Sequence, residues 1–437
     1  MKDYIIGRIL RVRTYMVSVS KWLVLAMFTG VCCGLIGTLF RKSVDYATTL
    51  RGQNPWLLFL LPVAGLIIVA VYTASDTIGV NTNDVIEAVQ TGKPLHLLLI
   101  PAIFIGTVLT HLCGGSSGRE GAALQMGGDI GYHVAKWLHF SEHDRRTAVM
   151  SGMAAFFAAL FGTPLAATLF AMMVINVGMA FYSAFIPCFA ASLTAYGISL
   201  AFGVAPVRFA VTVPGLDPIM ALRVAGLAVG CSFVCVFFCG FLHLSAYKMG
   251  QWFPNRWLKI VLGAAFVIAF TLLLGNTRYN GTGVDIIEAA IVDGKAEPLD
   301  WLLKILLTAV TLNAGFKGGE VVPSFFVGAT FGCVVGPLLG IPAQFGAALG
   351  LVTVFCGVSN CLISALFLAV EIFGSGGITY FAIACGLCYV LSGYSGLYTS
   401  QAILTSKLDS EYLDSDTHHP VRYERGVLQN KVRLRKM

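Results

Sequence analysis

The sequence predicts an all-α polytopic membrane protein built from two repeats with broken helices. Three observations carry this: apolar runs of bilayer length, an internal duplication, and glycine clusters that interrupt the apolar runs. Of 437 residues, 57% are hydrophobic and 12% charged, and the mean hydropathy is +0.79. Soluble domains carry about a quarter charged residues, which excludes a water-soluble chain. Runs near or above the roughly 20 residues that span a bilayer recur at 21–40, 56–74, 95–112, 222–243 and 257–274.

The first run follows Lys2, Arg8, Arg11, Arg13 and Lys21. No small-residue cleavage site leading into a soluble domain follows it, so it reads as a retained membrane helix rather than a signal peptide. Basic residues crowd the other end at Arg422, Arg425, Lys431, Arg433, Arg435 and Lys436. Positive charge stays inside, so the sequence predicts a cell-membrane protein with both termini cytoplasmic: a segment 1–20, a transmembrane region 21–405 and a tail 406–437. The net charge of +7 then reflects topology, and no nucleic-acid partner is expected. Most of the twelve cysteines lie in apolar stretches and read as buried, inert thiols. Cys385 and Cys388 form a C-x-x-C without a second pair, so neither metal nor cofactor is expected.

Asp84, Ile86, Glu87 and Ala88 fall on Asp285, Ile287, Glu288 and Ala289 at an offset of 201 positions. The same offset lays Gly118, Arg119 and Glu120 onto Gly319, Glu320 and Val321, and Gly127 and Gly131 onto Gly328 and Gly332. Duplication of this kind marks transporters whose site lies between two repeats near the bilayer midplane. In the repeated segments the runs are cut by Gly114, Gly115 and Gly118 and by Gly315, Gly318 and Gly319, which predicts broken helices. A helix that starts inside the membrane aims unpaired N–H groups and about +0.5 charge at whatever precedes it, which makes an anion site. Helix starts near Asn81, Gly118, Thr282 and Gly319 are expected to converge; close helix packing is the competing use of such glycines.

Gly118-Arg119-Glu120-Gly121, followed by Gln125-Met126-Gly127-Gly128, resembles the signature of the CLC family of chloride channels and anion/proton antiporters. Residues 319–323 resemble the matching second-half signature, and Gly396-Leu397-Tyr398 resembles the segment that supplies the family's pore tyrosine. The likeness covers roughly residues 21–405. It implies the CLC fold: a homodimer in the lipid bilayer, each protomer built of two inverted repeats (about 21–205 and 218–405) of tilted and broken helices around its own pore. By the same resemblance Glu120 takes the place of the gating glutamate, and Asn81 that of a chloride-coordinating serine. The hexapeptide 315–320 resembles the fluoride/proton antiporter branch, which carries a glutamate at Glu320, replaces that serine, and tends to lack a cytoplasmic-side glutamate. No Asp or Glu occurs from 145 through 215. Val322 departs from that branch, where a threonine is expected beside the ion path.

The implied task is export of fluoride in exchange for protons, with a chloride/proton antiporter or a chloride channel of the same fold as the alternative. An ionised membrane carboxylate is costly and functional by default. As an anion Glu120 competes with the transported ion for N–H donors, and on protonation it leaves them. Glu320 offers a second titratable stop with Lys317 as a charge partner, or else caps its own helix. Tightly hydrated fluoride requires strong donors: Asn81, the Tyr398 hydroxyl, and backbone N–H groups of Gly118, Arg119, Glu120, Val321 and Val322. Asp129 is expected to face a water-filled vestibule or a dimer partner, and His418 and His419 to lie in a solvated tail. A membrane-embedded enzyme is the reading from another class, but neither H-E-x-x-H nor G-x-S-x-G occurs, so no enzymatic activity is expected.

Overall fold

The computed structural model describes residues 2–408, 412–416, 423–424 and 427–428. The first repeat contains α1 (Lys2–Gln53), α2 (Leu61–Ala74), α3 (Thr82–Thr91), α4 (Leu99–Leu112), α5 (Glu120–Trp137), α6 (Glu142–Phe161), α7 (Pro164–Met173) and α8 (Phe185–Ala201). The second contains α9 (Pro218–Trp252), α10 (Arg256–Leu274), α11 (Val284–Glu288), α12 (Asp300–Ala314), α13 (Val321–Leu338), α14 (Ala343–Ser359), α15 (Leu362–Phe373) and α16 (Ile378–Leu391). Among the described residues six helices are long and apolar enough to cross a membrane, and five shorter ones are apolar. The run expected at 95–112 is one of the short ones, because the turn ahead of Leu99 keeps its first residues out of α4. At 35 residues α9 exceeds any bilayer core, which a helix accommodates by tilting.

Residue 20 lies inside a helix. With no proline before Pro55, α1 runs unbroken from Lys2 to Gln53. At the other end β2 (Ala402–Thr405) pairs in parallel with β1 (Asn176–Val177) and antiparallel with β3 (Tyr412–Asp416), which ties the chain after α16 to the loop after α7. The basic positions from Arg422 onward named above, and His418 and His419, lie outside the described residues.

The offset of 201 holds through the middle of each repeat: α5 and α13 start and end in register, as do the starts of α4 and α12 and of α6 and α14, while the outer helices drift from it. Each register pair is sealed by the same device. A Cβ on Gly131 would overlap the Ala148 carbonyl and one on Gly152 the Gly127 carbonyl, so α5 and α6 touch backbone to backbone; Gly328 and Gly332 meet Gly350 and Gly346 likewise between α13 and α14. Small residues let membrane helices approach this closely, and these two seams hold α5 and α13 in place. Along the helix bodies the glycines thus serve close packing.

Gly152→Ala is therefore expected to cost about 3 kcal/mol through overpacking and to lower the thermal midpoint in detergent. Gly240→Ala, where a Cβ meets nothing within 4 Å, is expected to leave that midpoint unchanged.

Candidate ion pathway

The chain breaks before α5 and α13 are where the two halves meet. Gly118 N–H donates to the Gly319 carbonyl at 2.7 Å and Gly319 N–H returns a bond to the Gly118 carbonyl at 2.8 Å. Since 201 positions separate them, each pairs with its own repeat counterpart and the pair lies on the pseudo-two-fold axis. From it α5 and α13 diverge with their N-termini together. Gly281 bonds to Gly115 and to Ser117 through its N–H and carbonyl (3.0 and 3.2 Å), and buried Lys304 holds that turn by donating to the carbonyls of Tyr279 and Gly281 (3.1 and 2.7 Å).

Glu120, the first residue of α5, is 0% exposed. Its Oε2 accepts the N–H of Arg119 at 2.9 Å and the N–H of Val322, from the other repeat, at 3.2 Å. Oε1 has no hydrogen-bond partner, and Arg119 Nε stands 4.0 Å away. The carboxylate therefore sits on the positive ends of two helices at once. Only glycine permits this: a Cβ on Gly118 would collide with Glu120 Oε2, and one on Gly121 would lie 3.0 Å from the Gly318 carbonyl.

Two cavities flank this plug. A first vestibule of about 650 Å³ is lined by Arg41, Asp45, Arg51, Arg119, Thr282 and Val322. A second of about 480 Å³ is lined by Asn81, Gln125, Lys317, Glu320 and Tyr398. Glu120 separates a vestibule lined by four arginines with Asp45 and Asp285 from one that carries Glu320, Lys259, Lys317, an amide and a phenol.

Comparison with known proteins agrees with this geometry. The family profile described as voltage gated chloride channel matches residues 64–393. The chain belongs to the voltage-gated chloride channel family. A chloride/fluoride channel protein of Pseudomonas syringae pv. tomato is 35% identical, covering 89% of this chain and 88% of that one. An H(+)/Cl(-) exchange transporter of Cronobacter sakazakii is 33% identical over 34% of this chain and 35% of its own. The crystal structure of a CLC-type fluoride/proton antiporter matches with TM-score 0.85 and 33% identity, over 88% of this chain and 98% of that one. A slow cyanobacterial Cl−/H+ antiporter at 18% identity and TM-score 0.73 shares the fold. The fold is that of the CLC proteins, two inverted repeats of tilted and broken helices.

Within this CLC chain the sequence-predicted residues separate into groups. Asn81, Glu320 and Tyr398 share the second vestibule. Arg119, Glu120 and Val322 meet at the plug and Val321 opens α13 behind them. Four helix starts do not converge on one point: those of α5 and α13 meet at the plug, α3 opens on the second vestibule, and Thr282 and Gly283 ahead of α11 line the first. Gly118 is no anion donor, because its N–H is spent on Gly319. The Arg119 guanidinium is held by Asp45 at 2.6 Å. Lys317 does not pair with Glu320; its ammonium sits 4.0 Å from the centre of the Tyr72 ring. Glu320 makes no side-chain cap on α13, which leaves its carboxylate to the vestibule.

Asn81 has a double duty. Its Oδ1 accepts the Asn83 N–H at 2.8 Å and caps α3, while its Nδ2 donates to the Gly79 carbonyl at 3.3 Å. Sequence reading missed Glu371 of α15, which receives the N–H groups of Leu165 and Ala166 at 3.0 and 2.8 Å and so fixes the start of α7 from the opposite repeat. It also missed Thr82 and Gln125, joined at 3.1 Å beside the second vestibule; Gln125 stands in the quoted motif, which was the available signal.

Asn81→Ala is expected to remove the cap and cost about 1 kcal/mol of stability, whereas Asn81→Ser keeps a capping oxygen and the stability. Thermal unfolding of the two variants in detergent checks this.

Proposed function

We propose that the chain is an anion/proton antiporter that exports fluoride and takes up protons in exchange. The observation that carries the reading is the buried Glu120 carboxylate seated on the N–H groups of Arg119 and Val322 between two vestibules. The names of the relatives support the ion: one is called a chloride/fluoride channel protein, and one solved structure is a fluoride/proton antiporter.

The donors that hold the carboxylate are those an anion needs, so ion and carboxylate exclude one another. A proton arriving from the first vestibule neutralises Glu120, weakens its charge-assisted hydrogen bonds and frees the donors. Fluoride then advances from the second vestibule, where Asn81 and the Tyr398 hydroxyl replace part of its water, onto the N–H groups of Arg119 and Val322, with those of Glu120 and Val321 beside them. Glu320 receives the proton on the other side of the plug. When fluoride leaves, Glu120 returns to its seat as a carboxylate.

The basic N-terminal part of α1 and the basic tail support a cytoplasmic position for both termini in the cell membrane. α1 begins at that side and ends beside the first vestibule, so the second vestibule faces the cytoplasm. In this reading the transmembrane domain covers 21–405, the protein acts as a homodimer with one pathway per protomer, and it is a transporter rather than an enzyme. Chloride is the competing cargo, since the Pseudomonas relative's name carries both ions.

Purified protein in liposomes is expected to release fluoride faster than chloride by at least about tenfold, a barrier difference of about 1.4 kcal/mol, with proton uptake during release. Faster chloride release would replace fluoride by chloride as the cargo. Glu120→Gln, which cannot ionise, is expected to abolish proton movement; a wild-type proton-to-anion ratio in that variant would remove Glu120 from the mechanism.

A further inference from the structure

Asp129 lies in the middle of α5, nine positions beyond Glu120, and is 0% exposed. It therefore faces neither a vestibule nor a partner protomer, contrary to the expectation from sequence. Neither carboxylate oxygen has a hydrogen-bond partner, and among the described residues no Lys, Arg or His lies within 4.0 Å of it to form an ion pair. A membrane carboxylate left without partners costs several kcal/mol, so its place at the centre of a packed helix requires a use.

The neighbourhood of Asp129 is ordered. Gly127 and Gly131 turn towards α6, and Gly128 towards Val85 of α3, which leaves Asp129 to the side where the chain enters α4. There the His96 backbone faces it without meeting hydrogen-bond geometry. Among the described residues no charged side chain of α1, α3, α4 or α6 forms an ion pair with it. Along α5, Gln125, Asp129 and His133 follow one another at successive turns, a spacing that keeps them on one side of the helix. At one end of this row Gln125 lines the vestibule that holds Glu320, and its Oε1 has no partner. At the other end half-buried His133 lies with Nδ1 2.9 Å from the Asp129 carbonyl, and His96 is exposed.

We propose that Asp129 is a proton-carrying residue, the step between Glu320 and the face of the protein at His133 and His96. The inference rests on the proton/anion exchange reading. The neutral carboxyl of Glu320 gives its proton to water in the vestibule beside Gln125, and a transient water between Gln125 and the buried Asp129 relays it to the Asp129 carboxylate. Asp129 passes it to a neutral imidazole of His133, the imidazolium releases it to bulk water, and both carboxylates are regenerated with no net change. This supplies the cytoplasmic-side acid that residues 145–215 lack.

The test uses purified full-length protein in liposomes loaded with fluoride, recording fluoride release and external pH. Asp129→Asn keeps the shape and polarity of the side chain, so a merely structural role survives it. The expected result is a proton-to-fluoride ratio reduced by at least about tenfold while fluoride release continues, with an unchanged thermal midpoint and elution profile. Asp129→Glu is expected to keep proton movement with an altered pH profile. A wild-type ratio in Asp129→Asn overturns the proposal, as does equal loss of both fluxes in folded protein. Should Asp129→Asn not fold, folded Asp129→Glu decides: loss of proton movement there overturns it. Wild-type protein that releases fluoride without proton movement sinks the exchange reading instead, so the two failures are distinct.

Discussion

A single carboxylate held by N–H groups of two helix ends organises this molecule. Glu120 takes one donor from its own repeat and one from the other, and both come from helices that begin inside the membrane. Every expensive feature nearby follows from that contact. The helices must break, because a continuous helix has no free N–H in its interior. The breaks must be glycine-rich, because Gly118 and Gly121 bring two backbones and a side chain into one small volume. The remaining backbone groups must be satisfied across the repeats, which the reciprocal Gly118–Gly319 bonds and the Lys304-supported turn at Gly281 accomplish.

Duplication supplied the frame and divergence the polarity. In the repeat register Arg119 corresponds to Glu320 and Glu120 to Val321, so the two helix starts share a backbone but differ in charge. Arg119 and its Asp45 partner line the first vestibule, and Glu320 lines the second. An inverted repeat with identical side chains would present the same surface to both sides of a membrane. This chain instead places the Arg119–Asp45 pair on one side of the plug and the Glu320 carboxylate on the other, so the two sides differ in chemistry.

The architecture was legible wherever it depended on local pattern. The glycine clusters located the starts of α5 and α13 to within two residues, and Asn81 was marked before it proved to be the residue that caps α3. What depended on distant partners was not legible. That Gly118 spends its N–H on Gly319 follows from a meeting of segments two hundred positions apart, and Lys317 was drawn from the near Glu320 to the face of Tyr72 on α2. Burial of Asp129 follows from how α3, α4 and α6 surround α5, which no spacing within α5 reveals. The true length of α1 was missed for another reason: hydropathy marks the apolar portion of a helix, whereas α1 runs on past that portion and its glycines to Gln53, just ahead of Pro55.

The contact at Glu120 also sets how strongly a single proton acts in the proposed exchange. A hydrogen bond to a charged group contributes about 1.5–3 kcal/mol and a neutral one about 1 kcal/mol, so protonating a carboxylate that holds two such bonds weakens its seat by about 1–4 kcal/mol. Each 1.4 kcal/mol is tenfold in population, so the change of a single proton is enough to alter occupancy of the donors between side chain and ion by one to three orders of magnitude. The glycine seams that lock α5 to α6 and α13 to α14 keep the donors themselves fixed while this happens. Rigid donors and a mobile carboxylate are the complementary halves of one device: if the helix ends could relax around whichever anion was present, both could be held at once and nothing would be exchanged.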